Sequence, residues 1–283
     1  MVLTHIRDYV RPASAEEAWA ALAERGKAAK AIGGGIDAML YATREMTALV
    51  DLADLGLSYV RDGDGLAIGA TTTFTEIIES PVARAILSGI LIEVLEKVAS
   101  PLQRNLATIG GTLGSAHPWS DVIPLLLVLD AEVVVYDGQA RTLALAEYFA
   151  ARSNGERPLI TEVRLPAAPG SAACAFEEYS STGFDVAVLN CASFVSLDSG
   201  RCETVRIAVG GTPALATRLT TVEEALTGAS LDDETIDRVA ELAGQAIDAR
   251  DDRRATAAHR RKLARVGVSR CLRRIGERLG GSG

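Results

Sequence analysis

Two glycine-rich segments carry the chemistry most directly legible in this chain of 283 residues. They are Gly33-Gly34-Gly35-Ile36-Asp37 and Thr108-Ile109-Gly110-Gly111-Thr112-Leu113-Gly114-Ser115, about 75 residues apart, each after a short apolar stretch of the kind that ends a strand. Glycine has no Cβ, so such backbone adopts positive φ and approaches a ligand closely. Main-chain N–H groups in such turns converge on an anion without any Lys or Arg. One turn suits a phosphate; two suit a large nucleotide cofactor gripped from two sides. Thr108 and Ser115 add hydroxyl donors. Ser120-Asp121 follows at the start of an apolar segment, Val122–Leu129, that reads as a helix, and a helix N-terminus favours phosphate. The Asp121 carboxylate is an acceptor suited to sugar hydroxyls. Its alternative reading is a plain helix cap.

Other chemistries are poorly supported. Gly33-Gly34-Gly35-Ile36-Asp37-Ala38 satisfies G-x-G-x-x-A, with Asp51 further on, but a glycine triplet meets that pattern easily. Ala38–Met46 is also short for the crossover helix of a dinucleotide-binding βαβ unit, so that fold ranks low. No GxxxxGK[ST] occurs, which argues against nucleoside triphosphate hydrolysis. His5, His117 and His259 have no metal-ligand spacing, and no nucleophile or carboxylate pattern surrounds His117. Four cysteines (Cys174, Cys191, Cys202, Cys271) without a CxxC pair argue for core positions in a reducing compartment and against an iron–sulfur centre in this chain. No apolar run approaches the ~18 residues that span a bilayer, and Met1–His5 lacks the pattern of a secretory signal. The expected location is the cytoplasm, with no membrane insertion.

The net charge of −8 is unevenly spread: residues 250–283 carry 11 Lys/Arg against 3 Asp/Glu. The remainder is acidic and has no general attraction for nucleic acid. The basic tail holds an apolar stripe, Ala264, Val268, Leu272, Ile275 and Leu279, and no interleaved aromatics. It reads as a packed helix with a solvated cationic face, suited at most to an acidic patch on a partner subunit.

These segments need scaffolding. Ser14-Ala15-Glu16-Glu17 fits a capping box opening a helix that stops near Gly26. Ala28–Ile32, Ala48–Leu52 and Leu66–Gly69 read as strands, and Phe74–Glu79 and Leu87–Ala99 as helices, the second ended by Ser100-Pro101. Ala131–Tyr136 and Ile160–Leu165 are strands. Pro166–Gly170 marks the best domain boundary. Beyond it, Val186–Leu197 and Cys202–Val209 flank the hairpin signal Asp198-Ser199-Gly200-Arg201. Thr221-Val222-Glu223-Glu224 reads as a second capping box, and Ile236, Val239, Ala240, Ala243 and Ile247 mark an amphipathic helix. Strands and helices mix without regular βαβ alternation, which indicates an α+β fold.

Taken in order, Arg11–Ala18, Gly33–Asp37, Arg104–Asp121, Phe184–Ala187, Arg206–Gly211 and His259–Leu263 resemble the FAD-binding medium subunit of molybdenum hydroxylases, the carbon monoxide dehydrogenase and xanthine dehydrogenase flavoprotein family. The resemblance implies a two-subdomain FAD-binding domain of the PCMH type over 1–168, with the cofactor held between the subdomains. A smaller C-terminal domain with an antiparallel sheet and helices would occupy 172–283. It implies FAD contacts at Ala31, Ile32, Gly33, Gly34, Gly35, Ile36, Asp37, Ala107, Thr108, Gly110, Gly111, Thr112, Gly114, Ser115, Ser120 and Asp121, with Ile160 near the flavin. It further implies no substrate chemistry in this chain. Electrons would come from a molybdenum site through [2Fe-2S] clusters, carried by a large and a small partner subunit in a dimer of heterotrimers, and leave through FAD. Thr112 and His117 depart from the family pattern. So do Glu177 and Glu178, where a cation is usual; two carboxylates there would lower the potential of the flavin. The alternative is a binding or scaffolding protein that keeps the fold without redox function.

Overall fold

Ser14 opens the first helix of the computed structural model, which describes residues 5–183 and 185–280. Phe184, of the Phe184-Asp185 pair, lies outside the described residues, as do Met1–Thr4. The Ser14 hydroxyl accepts the Glu17 amide, while the Glu17 carboxylate takes the amide of Ala13. Gly26, at φ 54°, ends the helix as its position predicts. In chain order the strands are β1 (Asp8–Val10), β2 (Ala29–Ile32), β3 (Ala48–Asp51), β4 (Val60–Gly63), β5 (Gly65–Gly69), β6 (Glu132–Tyr136), β7 (Ala140–Ala144), β8 (Leu159–Pro166), β9 (Ala172–Tyr179), β10 (Leu189–Asp198), β11 (Arg201–Gly210) and β12 (Thr217–Arg218). The α-helices are α1 (Ala15–Arg25), α2 (Ile36–Leu40), α3 (Phe74–Glu79), α4 (Pro81–Ala85), α5 (Ile90–Leu95), α6 (Pro101–Arg104), α7 (Ile109–Ser115), α8 (Val122–Val128), α9 (Leu145–Ser153), α10 (Thr220–Leu226), α11 (Asp233–Ala246) and α12 (Ala257–Gly280).

Two compact units form. The first takes residues up to Ala83, Ala99–Ser115 and Ala131–Pro166. It holds a three-stranded parallel sheet ordered β1-β3-β2 and a five-stranded antiparallel sheet ordered β4-β5-β8-β6-β7. The parallel sheet is a small local βαβαβ, built with α1 and α2 as its crossovers. The sequence pattern does not reveal it, because β1 has three residues and α2 five, too few for a period to show. Ala18, Val50, Leu52 and Leu159 form one of its cores. The first glycine turn leaves the carboxyl end of β2, where Ile32 pairs with Asp51 of β3. That end of a parallel strand is where ligands bind in open α/β sheets.

The second unit takes Arg84–Val98, Ala116–Asp130 and the chain from Ala167 onward. Its antiparallel sheet is ordered β12-β11-β10-β9. The expected hairpin joins β10 to β11, with Ser199 and Gly200 both at positive φ. Leu189, Cys191 and Val195 of β10 enter a core shared with Val239, Val268, Leu272 and Ile275 of α11 and α12. Asn190, Ala192 and Phe194 point to the opposite face, where α8 packs. All four cysteines are buried.

Several expectations are corrected. Ser100-Pro101 starts a helix instead of ending one: Ser100 and Gln103 form a capping box with Pro101 in the first turn of α6. The helix expected to run to Ala99 ends at Leu95, and Leu87 and Ser88 at its front are left-handed. The box at Thr221 and Glu224 does not form. Glu223 is buried instead, accepting the Ile207 amide at 2.9 Å and pairing with Arg218 at 2.7 Å. The segment 109–115, expected as a loop, is the helix α7. The cationic face of α12 is largely neutralised inside its own unit: Arg265 meets Glu241, Arg273 meets Asp233 and Asp237, and Arg274 and Arg278 share Glu93. The acidic surface this helix suited belongs to the same chain.

Candidate functional site

The two glycine segments come together in the first unit. A Cβ on Gly34 would fall 1.4 Å from the Leu106 carbonyl oxygen, and one on Gly33 would fall 2.8 Å from Thr108 Oγ1. Only glycine allows this backbone-on-backbone approach. Gly35 is left-handed (φ 76°) and precedes α2 with no side-chain cap. Among the described residues, the N–H groups of Gly33, Gly34, Gly35 and Thr108 have no protein acceptor. Thr108 forms an isolated bridge with Thr73 in which Phe74 N–H donates to Ala107 O and Ile109 N–H to Thr72 O. In such a pair the Thr108 amide faces away from its partner.

The second segment works differently from the expectation. Its amides are already committed: Ile109 donates to Thr72 O, Gly110 to Ala70 O at 2.9 Å and Gly111 to Thr108 Oγ1 at 3.1 Å. Thr108 thus caps α7, which overrides the low helix propensity of its glycines. Gly110 is glycine because a Cβ would meet Ala70 at 2.7 Å. The donors left for an anion include those of Gly33–Gly35 and Thr108, a nest of main-chain N–H groups. Gly111 is exposed, Thr112 half-buried, and the Gly114 carbonyl accepts from Arg152. Ala31 and Ile32 lie in β2, Ile36 and Asp37 in the first turn of α2, and Ala107 and Ser115 flank or end α7. Ile160 is buried in β8, opposite Val135.

In the second unit Asp121 occupies the cap position of α8, but it has helical φ/ψ and its side chain makes no capping bond. The plain-cap reading therefore fails. Asn190 Nδ2 instead donates to Asp121 Oδ1 at 2.7 Å and to the Ser120 carbonyl at 3.1 Å. Burial pushes the Asp121 carboxyl up to about 7, helped by the charge of Glu178 and opposed by the Asn190 bond and Lys97. His117 stacks on Trp119 at 4.7 Å, and Arg254 lies over the indole. Glu177 is not a bare charge: Arg274 and Arg270 sit 3.1 and 3.7 Å away. The expected lowering of flavin potential by two free carboxylates loses half its basis. Asn190 has no sequence signal beyond being one amide in an apolar strand.

The description of the matching family model for residues 4–168 is the FAD binding domain in molybdopterin dehydrogenase; residues 174–275 match the CO dehydrogenase flavoprotein C-terminal domain. The chain belongs to the FAD-binding medium-subunit family of molybdenum hydroxylases. Its cofactor class is FAD, and its enzyme class is that of the oxidoreductase subunits. It is 32% identical to the 6-hydroxypseudooxynicotine dehydrogenase complex subunit alpha of Paenarthrobacter nicotinovorans, covering 94% of this chain and 93% of that one. It is also 32% identical to the carbon monoxide dehydrogenase medium chain of Afipia carboxidovorans, over 94% and 96%. Among solved structures, a chain of cyanide-inactivated Cu,Mo-CO dehydrogenase superposes with a TM-score of 0.89 at 29% identity, covering 98% of this chain and 100% of that one. Quinoline 2-oxidoreductase of Pseudomonas putida 86 gives 0.87 at 26%, covering 99% of each. The chain has the α+β arrangement of an FAD-binding domain followed by a C-terminal domain with an antiparallel sheet. No helix among the described residues is long and apolar enough to cross a membrane.

Proposed function

We propose that this medium subunit is the electron-transfer flavoprotein of a heteromeric molybdenum hydroxylase, taking electrons from [2Fe-2S] clusters of a small subunit and passing them to a terminal acceptor. The molybdenum site and the organic substrate belong to a large subunit, in a dimer of heterotrimers. Bound FAD supplies the capacity to take up and release two electrons. The chain's own residues bind and orient it. The observation that carries this reading is the cluster of unsatisfied amides at Gly33, Gly34, Gly35 and Thr108, which fits a diphosphate. Ser120 and Asp121 are assigned to hydroxyl groups of the dinucleotide, and the other residues named for this cofactor shape its surroundings. Four unpaired, buried thiols support a reducing compartment, the cytoplasm.

The test is purification of the full chain, alone and with its partner subunits, followed by FAD titration. A yellow protein that binds one FAD and is reduced only when the partners and a substrate are present is the expected result. A colourless protein that takes up no added FAD would overturn the assignment in favour of a scaffold.

A further inference from the structure

We propose that Asn190 is a positioning residue for the cofactor site: its amide holds Asp121 Oδ1 and the Ser120 backbone so that the remaining carboxylate oxygen is presented to a hydroxyl of the dinucleotide. This rests on the reading of Asp121 as a hydroxyl acceptor. Asn190 is fully buried in β10, between Leu189 and Cys191, in a strand with both faces covered. Placing an amide there costs free energy unless its groups are satisfied. Both hydrogen bonds of its Nδ2 go to one short segment, Ser120-Asp121, some 70 residues earlier. Its Oδ1 has no partner among the described residues, so the amide is not there to complete a network of the sheet. Gly210 makes room for it, since a Cβ at that position would lie 2.4 Å from Asn190 Oδ1. The neighbouring strand is thus shaped around an amide whose donors are spent on Asp121.

Two further contacts fix the same segment. Gly211 N–H donates to the Pro118 carbonyl, and the Gly211 carbonyl accepts from the buried Arg260. The charged groups acting on Asp121 are Glu178 of β9 and Lys97 after α5. Glu178 makes ionisation of Asp121 harder, and the Asn190 bond makes it easier. A hydroxyl donor binds the ionised carboxylate more strongly than the acid. FAD affinity therefore rises as pH passes the Asp121 midpoint from below, and losing Asn190 moves that midpoint upward.

The experiment is FAD titration of the full chain by flavin fluorescence from pH 5.5 to 8.5, in wild type, Asn190→Ala, Asp121→Ala and the double variant. Each single substitution is expected to weaken binding about tenfold. The double variant should be no weaker than Asp121→Ala, because the two residues act as one unit. Asp121→Ala should flatten the pH profile, and Asn190→Ala should shift its midpoint upward. Multiplying losses of about a hundredfold, or an unmoved midpoint in Asn190→Ala, would show that Asn190 merely supports the fold. If Asn190→Ala does not fold by circular dichroism, Asn190→Ser carries the same cycle with the same two criteria. Failure of the wild type to bind FAD at all is a separate result, which overturns the proposed function itself.

Discussion

At the scale of the residue, the glycines divide by what a methyl group would meet. Gly34→Ala forces a Cβ into the Leu106 carbonyl. It should destabilise the chain by about 3 kcal/mol and weaken FAD binding more than tenfold, checked by urea denaturation and FAD titration. Gly114 lies within α7 with open space around its Cβ position. Gly114→Ala should therefore stabilise by about 0.5–1 kcal/mol, a contrast that composition alone does not provide. Asp121 gives a pH signature. Its folded-state carboxyl is raised to about 7, above its ordinary range near 4. The native state then holds a proton that the unfolded chain has released, so stability falls as pH rises from about 4 to about 7. Asp121→Asn removes this slope. Relative to wild type it should gain on the order of 4 kcal/mol at pH 8 over its value at pH 4, measured as the change in unfolding free energy across that range.

At the scale of the element, α12 is tied down by its buried arginine as well as by its apolar stripe. Arg260 donates to the carbonyls of Val188, Gly211, Arg250 and Ala255 and forms a bidentate pair with Asp252. The Asp252 carboxyl is held at about 2: its desolvation opposes ionisation, but the Arg260 bond and the amides of Ala255 and Arg254 together outweigh it. Arg260→Ala leaves those carbonyls without donors and should cost about 3–5 kcal/mol, read by thermal denaturation. Arg260→Lys should recover little, because an ammonium cannot reproduce the planar fork. The Glu93 hub joins α5 to α12 through Arg274 and Arg278. Both elements were recognisable in the sequence, but nothing in it pairs a carboxylate at 93 with arginines some 180 positions later.

At the scale of the whole molecule, the charge asymmetry of the chain acquires a structural meaning. Within the second unit, arginines of the basic C-terminal helix pair with Glu93, Glu177, Asp233, Asp237 and Glu241, which is why the cationic stretch is no nucleic-acid surface in waiting. The two units also interleave along the chain. Arg84–Val98 and Ala116–Asp130 fold with the C-terminal strands, although both precede the Pro166–Gly170 break. Local patterning cannot report this, because an apolar helix such as α8 reads the same whichever sheet it covers. The hairpin at Ser199-Gly200 and the stripes of α11 and α12 were legible, since turn chemistry and helical period are local properties. The second glycine segment reads as a loop yet folds as the helix α7 for the opposite reason. Its helix is set by Thr108, Thr72 and Ala70, of which the latter two lie some 40 positions away.

By itself the sequence determined the α+β class, the family and the presence of two glycine segments suited to a dinucleotide, because residue type, order and spacing encode these directly. The tertiary structure decided which amides remain free to meet an anion, and it removed Asp121 from helix capping and placed Asn190 on its carboxylate. Those outcomes depend on which donors find partners across distant parts of the chain, and hydrogen-bond satisfaction is settled only once the backbone has been brought together.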